Sequence, residues 1–504
     1  MKKYQTRMRR ILFSLTCLLT GFTLPGQTGF RTLVSPETLY GTVDTLSSEE
    51  FEGRLTGHRG YNRSVEWVTG KFASWGIKPL GENGGFLQYF PQPYNDVLPG
   101  CELILHAGSK GEDKSYEYVE EFIPGSTSGN GELTAEVVYA GYGISAPELG
   151  YDDYAGMDVQ GKIVLLEREA PVGPEHKEFL SWRPYTFHQY KLHNAVRHGA
   201  AGMLYNYHIA NPNNDHVEGF VYSHVGNAVM EDLFRKNGHR PEKTVEKIGR
   251  KRVPRSFETG KTVTLKNITK YHPDGVGSNV IGMIEGSDPN LKNEYILVGG
   301  HLDHLGKCYT TMPGANDNAS AVSVTLGLAE ALSKSGIQLK RSVVFVLFGA
   351  EEAALKGVQY FLKHPTIPGL DQVAGFINMD GVGIGDKIHV LFAKNNPGLY
   401  AYLEEANREL HLSMAGSFNA NITRPRLDAA FADWYGIPVL SIYTDGPPEA
   451  FANFRYHTPY DNIGNIDKEI MTSLAELLYL SIINMCNAES LDFERGEIQH
   501  GFIE

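Results

Sequence analysis

The stretch Arg341 to Glu352, RSVVFVLFGAEE, restricts the fold more than any other. Its apolar run from Val343 to Phe348 has no polar alternation and is rich in β-branched and aromatic residues, so it predicts a strand covered on both faces. Such strands lie at the centre of parallel sheets packed between helices. Glu351 and Glu352 follow directly, at the edge where the loops of an open α/β sheet converge on one crevice. Two adjacent acids there repel each other unless a proton or a cation intervenes, which directs attention to other ligands along the chain.

After Asn279 the pattern is strand, loop, helix, repeated. NEYILVGG, RSVVFVLF, VAGFINM and IPVLSIYT are apolar strand candidates. Helical stretches are expected at Ala319 to Lys334, Ala353 to His364, Pro397 to Leu410 and Lys468 to Asn487. The expected fold class is therefore α/β, with a mixed, mostly parallel sheet flanked by helices. Upstream, Val65, Val68, Phe72 and Trp75 recur at helical spacing. Strand-like pieces follow around Cys101 to His106 and Tyr116 to Phe122. From Leu133 the texture changes: AEVVYAGYGI, GKIVLLERE and KTVTLKNI read as strands of a second, smaller β-rich domain at about 130–265, with a helix from Phe187 to His198.

A chain of 504 residues exceeds what one core usually organises. Its N-terminus has the layout of a secretory signal peptide: Lys2, Lys3, Arg7, Arg9 and Arg10 precede the apolar stretch Ile11 to Leu24, and Pro25-Gly26 follows. That stretch is shorter than a spanning helix requires, so no transmembrane anchor is expected in the mature chain, and an exported protein, periplasmic or extracellular, is. Removing residues 1–26 takes away five basic and no acidic side chains and moves the formal net charge from −13 to −18. Such a surface does not suit nucleic acid. The remaining Cys101, Cys308 and Cys486 form neither a disulfide framework nor a thiolate zinc site. Any metal must be held by histidine and carboxylate.

Those residue types occur at the ends of the expected strands. VGGHLDHLG places His301 and Asp303 after the first, Glu351 and Glu352 follow the second, and NMDGVG places Asp380 after the third. PGANDNAS sets Asp317 before a helix, and FRYHTPYDN adds His457. Each has a structural explanation alone: a helix cap for Asp317, a core imidazole for His301, a turn for Asp380. Their recurrence at one edge of one sheet favours a metal centre, and two His with three carboxylates suits zinc, with cobalt or manganese also accommodated.

These motifs, HLD at 301–303, GANDNAS at 314–320, FGAEE at 348–352, NMDGVG at 378–383 and YHTPYDNIGNID at 456–467, resemble the M28 zinc peptidases of aminopeptidase type that carry an inserted protease-associated (PA) domain. The resemblance extends over about 270–490, with weaker likeness at 40–90, including EGRLTG, and likeness to the PA domain in YAGYGI and GYDDYAGMDVQGKIVLL. After the signal peptide expected at 1–26, it implies an N-terminal part of the peptidase domain at 27–129, a PA domain at 130–265 and a catalytic part at 266–504. Two zinc ions per chain are implied. His301 and Asp380 would hold one, Glu352 and His457 the other, and Asp317 would bridge them. Asp303 would orient His301, Glu351 would act as general base, and Tyr456 is a candidate for polarising the scissile carbonyl. A cis peptide between Asp317 and Asn318 is implied as well.

The expected activity is removal of N-terminal residues from peptide substrates. Carboxypeptidase, dipeptidase or glutaminyl cyclase activity on the same fold is the alternative, and a non-catalytic binding protein a third. Nothing in the sequence sets an oligomeric state. His304 is read as lining the pocket or facing solvent, with metal ligation the less favoured alternative. Asp428 and Phe431 in RLDAAFADWYGIP match a stretch near the family's substrate pocket only in part. His176, His188, His193, His198, His208, His216 and His224 match no tight ligand spacing.

Overall fold

The computed structural model describes residues 29–108, 111–235, 238–418 and 426–500. The expected signal peptide at 1–26 lies outside them. The strand Ser342–Phe348 is buried along its whole length, as its unbroken apolar run requires. It lies in a nine-stranded mixed sheet. Four strands at the centre are parallel, in the order Ser342–Phe348, Tyr295–His301, Val373–Met379, Val439–Asp445. Antiparallel neighbours close both sides: Val276–Ile284 beside the first and Lys387–Leu391 beside the last. The register sets His301 opposite Phe348, so the chemistry-bearing ends of adjacent strands finish level.

Helices cover both faces. Ser320–Lys334, Lys468–Asn487, Arg59–Ser74 and Pro36–Leu46 pack on one through a core that includes Val298, Phe345, Leu474 and Leu478. Lys356–Lys363 and Asp428–Trp434 cover the other through Val346, Phe361 and Trp434. Each fully buried Val, Leu or Phe in these layers contributes about 1.5–3 kcal/mol. The glycines before His301 answer to packing: a Cβ on Gly299 would lie 1.7 Å from Val346 O and one on Gly300 2.3 Å from Met379 O.

A second, eight-stranded sheet has four parallel strands at its centre, Gly131–Tyr139, Ile163–Glu167, Gly202–Asn206 and Val221–Val225. It takes strands from before residue 130 as well, since Glu102–His106 pairs with Phe257–Asn267 and Phe122–Pro124 with Val221–Val225. Its faces carry helices too: His188–Arg197 on one, Asn227–Phe234 and Pro241–Lys251 on the other. The unit is thus more α/β than its sequence suggests. The polar stretch that ends at Glu121 turns back on itself, with Glu121 N–H donating to Glu117 O, rather than running as a strand. A small sheet, Thr269–His272, Tyr94–Val97, Lys307–Cys308 and Thr310–Thr311, ties the two large ones together.

Candidate functional site

Five segments meet at the carboxyl edge of the main sheet. Strand Tyr295–His301 delivers His301 at its last position, and the turn after Ser342–Phe348 delivers Glu351 and Glu352. Asp380 follows Val373–Met379. Asp317 lies in the distorted turn that leads into helix Ser320–Lys334, where the Asp317–Asn318 peptide is cis, as the resemblance implies. His457 comes from a late loop and has φ +56°, a left-handed conformation that costs a non-glycine residue free energy and is typical of functional sites.

Asp317 is the centre of the arrangement. Its Oδ1 lies 3.3 Å from His301 Nε2, which is 3.5 Å from Asp380 Oδ1. Its Oδ2 lies 3.0 Å from His457 Nε2, which is 3.0 Å from Glu352 Oε2. Two sets of donor atoms result, His301, Asp317 and Asp380 in one and His304, Asp317, Glu352 and His457 in the other, with the atoms of each set within 4.8 Å of one another. Asp317 belongs to both.

The residues fit metal ions better than they fit each other. Asp317 Oδ2 and His457 Nε2 are buried and close, yet neither has an aligned hydrogen-bond partner. Polar atoms this close and this buried without an aligned hydrogen bond are expected where a cation belongs. Protonation tells the same story. Burial pushes the His301 and His457 imidazoles down, but the carboxylates around them override it and hold both well above the ordinary value. Burial likewise opposes ionisation of Glu352, but the facing histidines bring its carboxyl down to about 2, and Asp317 lies well below the usual carboxylate range. The same carboxylates that favour a proton on these imidazoles would favour a cation in its place. An all-nitrogen and oxygen donor set of this kind suits zinc.

Glu351 differs from its neighbour. It belongs to neither donor set; its Oε2 is 4.0 Å from His301 Nε2. Burial raises its pKa well above the usual range, reinforced by Glu352, Asp428 and Asp380. Asp303 departs from the expected role in detail. The His301 Nδ1–H donates to the main-chain carbonyl of Asp303 at 3.1 Å, while the Asp303 carboxylate is 3.7 Å away and accepts the Glu351 N–H at 3.2 Å. It therefore steadies the turn that carries Glu351, and the backbone beside it steadies the imidazole. The Tyr456 ring stacks on His457, with centroids 3.7 Å apart.

Three residues matter more than the sequence indicated. His304 is fully buried, with Nδ1 2.9 Å from Glu352 Oε1. Arg54, in the EGRLTG stretch, is fully buried and donates to Leu302 O, Leu46 O, Pro313 O and Gly314 O, at 2.6–3.0 Å, bracing the loops that carry His301 and Asp317. Asp461 accepts the Asn316 and Asp317 N–H groups at 2.7 and 3.0 Å. Asp461 sits in the quoted YHTPYDN motif, where its turn-like context signalled a loop rather than a brace. Asp428 is buried with both carboxyl oxygens unpartnered, its pKa pushed up to about 8 by burial.

The second unit completes the site. His457 Nδ1–H donates to Ala210 O at 3.0 Å, and Ala210 N–H returns a bond to His457 O at 3.1 Å. A cavity of about 320 Å³ opens between the units, bounded by Glu351, Tyr456 and His457 on one side and Tyr207, His188 and Asn211 on the other.

Residues 279–482 match the family model described as peptidase family M28. The vacuolar membrane protease of Clavispora lusitaniae is 26% identical over 284 residues, 56% of this chain and 25% of that protein. An aminopeptidase from Aneurinibacillus sp. strain AM-1 has the same fold, with a TM-score of 0.62 at 21% identity over 93% of this chain and 96% of that one. A zinc aminopeptidase from Bacillus subtilis follows at 0.57 and 19%, over 91% and 98%. The chain spans well under two thirds of the length of the curated relatives. Proteins of Candida glabrata, Candida dubliniensis and Candida tropicalis with the same vacuolar membrane name match too. Their names place those proteins at a vacuolar membrane, which contradicts the exported, periplasmic or extracellular location expected from the N-terminal segment. Among the described residues, helix Lys468–Asn487 is long and apolar enough to cross one, although 72% of its most apolar window is buried in the fold. The motifs, the shared carboxylate and the matched segment agree: residues 279–482 belong to peptidase family M28.

Proposed function

We propose that this chain is a di-zinc aminopeptidase that removes N-terminal residues from peptides. The observation that carries the reading is Asp317, whose two carboxylate oxygens face separate donor sets while Glu351 stands beside them in neither. His301 and Asp380 would hold one ion, Glu352 and His457 the other, with Asp317 between. Ions held there would acidify a bound water and polarise a peptide carbonyl.

The chain's own residues account for the remaining chemistry. Glu351, beside both donor sets and bound into neither, takes a proton from the attacking water and returns it to the departing amine. The Asp303 carboxylate fixes the turn that carries it. Tyr456, stacked on His457 at the cavity wall, would supply its hydroxyl to the developing oxyanion. The cavity is at the small end of ligand pockets, which suits the end of a peptide rather than an extended chain. We also assign the second unit, with its sheet over the cavity, as the PA domain implied by YAGYGI and GYDDYAGMDVQGKIVLL.

Metal analysis of the purified protein, with assays on peptides that are N-terminally free, N-terminally blocked and C-terminally blocked, tests the reading. Two metals per chain and chelator-sensitive cleavage of free-amine substrates alone are expected. Turnover of N-blocked peptides would refute it.

A further inference from the structure

The two donor sets are unequal, and the difference is His304. Its backbone N–H donates to Arg54 O at 3.1 Å, and its ring meets His457 edge-on, with centroids 5.6 Å apart. Gly314 makes room for it. A Cβ there would lie 2.5 Å from the His304 ring and 2.4 Å from Asp317 O, and the residue has φ +58°, so only glycine suits. This packing aims Nδ1 at the site, 2.9 Å from Glu352 Oε1 and 3.9 Å from Asp317 Oδ2. Nε2 is buried without a hydrogen-bond partner, so no protein group on that side dictates the tautomer.

We propose that His304 is a further metal ligand, which makes the position shared by His304, Asp317, Glu352 and His457 a four-ligand, tight site and leaves the His301, Asp317 and Asp380 position a three-ligand, exchangeable one. The inference rests on the two-metal reading above and adds an order of filling. Four protein ligands make a closed zinc site, whereas three leave a position for water or substrate. The three-ligand position is also the one beside Glu351, through His301. The chain would thus hold one ion through dilution or mild chelation and become active only when the second arrives, so that metal supply sets its activity.

The test is metal binding rather than turnover. Apo wild type, His304→Ala and His304→Asn are titrated with Zn2+ against a chromophoric chelator, and the first equivalent of Co2+ is followed by its visible absorption. Asn keeps a side-chain N–H that can donate to Glu352 but is a poor zinc ligand. Two unequal affinities are expected in the wild type. Both variants should weaken the tighter one by 10-fold or more, spare the weaker one and change the first-equivalent Co2+ spectrum. Unchanged affinities and spectrum in His304→Ala, with two ions still bound, would overturn the assignment and leave the two-metal reading intact. Recovery of wild-type affinity in His304→Asn would also overturn it, because a hydrogen-bond donor would then suffice. A wild type that binds fewer than two ions would overturn both.

Discussion

Replacing Arg54 with Met, which is close in length and carries no charge, tests how the site is held. The guanidinium is fully buried and serves four carbonyls: Leu46 O at a helix end, Leu302 O between His301 and Asp303, and Pro313 O and Gly314 O just before Asp317. Hydrogen bonds to a charged group contribute about 1.5–3 kcal/mol each, so the gross loss for four is about 6–12 kcal/mol. Against this stands the cost of burying a cation, visible in an Arg54 pKa brought down to about 10 by burial, even with Asp461, Asp317, Asp303 and Glu352 opposing the shift. Removing one partner of a buried charged network leaves a net loss of about 3–5 kcal/mol, a large part of the roughly 5–15 kcal/mol of a typical domain. Guanidinium denaturation of the metal-free protein, followed by tryptophan fluorescence, should show that loss. Arg54→Lys should recover only part of it, since an ammonium cannot reproduce the planar fork. A Met variant within about 1 kcal/mol of wild type would refute the bracing role.

Other substitutions separate the parts of the mechanism. Glu351→Gln should retain full metal content by elemental analysis while peptide turnover falls by about 10²–10⁴-fold, the usual contribution of a general base. Asp317→Ala removes the carboxylate common to both donor sets, so both equivalents of zinc should be weakened in the same titration, unlike the change at His304. Acid stability should depend on His224, buried in the second sheet, whose pKa burial lowers to about 4 with His208 and His457 adding to the shift. Between the unfolded value near 6.5 and about 4 the unfolded chain takes a proton that the folded chain refuses, so stability is complete above pH 6.5 and falls as pH drops through that window, by at most about 3 kcal/mol. Thermal melts of wild type and His224→Gln from pH 4 to 7 should show a shallower slope in the variant.

Much of the site could be read along the chain because three of the four central parallel strands announce themselves twice, by an apolar run and by the acid or imidazole at or just after their end. The helices at Pro397–Leu410 and Lys468–Asn487 have the expected bounds because Pro and Asp mark where they start and their apolar periodicity does the rest. His304 was not legible in this way. In HLDHLG it looks like any polar loop residue, and only the packing of Gly314 and Arg54, distant in sequence, turns it inward. Arg54 was hidden for a related reason. Arginine normally faces water, and nothing local says that four carbonyls from three separate segments will surround this one. That the strands Glu102–His106 and Phe122–Pro124 join the second sheet was not legible, because their pairing partners lie about a hundred residues or more downstream, beyond the reach of periodicity.

The reciprocal pair between Ala210 and His457 has a practical consequence. The matched segment begins at residue 279, after Ala210 and after Arg54, so the portion of chain that bears the family signature lacks two of the supports its own imidazole and loops lean on. A minimal version cut down to that segment would carry every proposed metal ligand and still present them to solvent unmoored. In this protein the second sheet is not cargo attached to an independent unit; the segment that carries Ala210 is part of the wall against which the site is built.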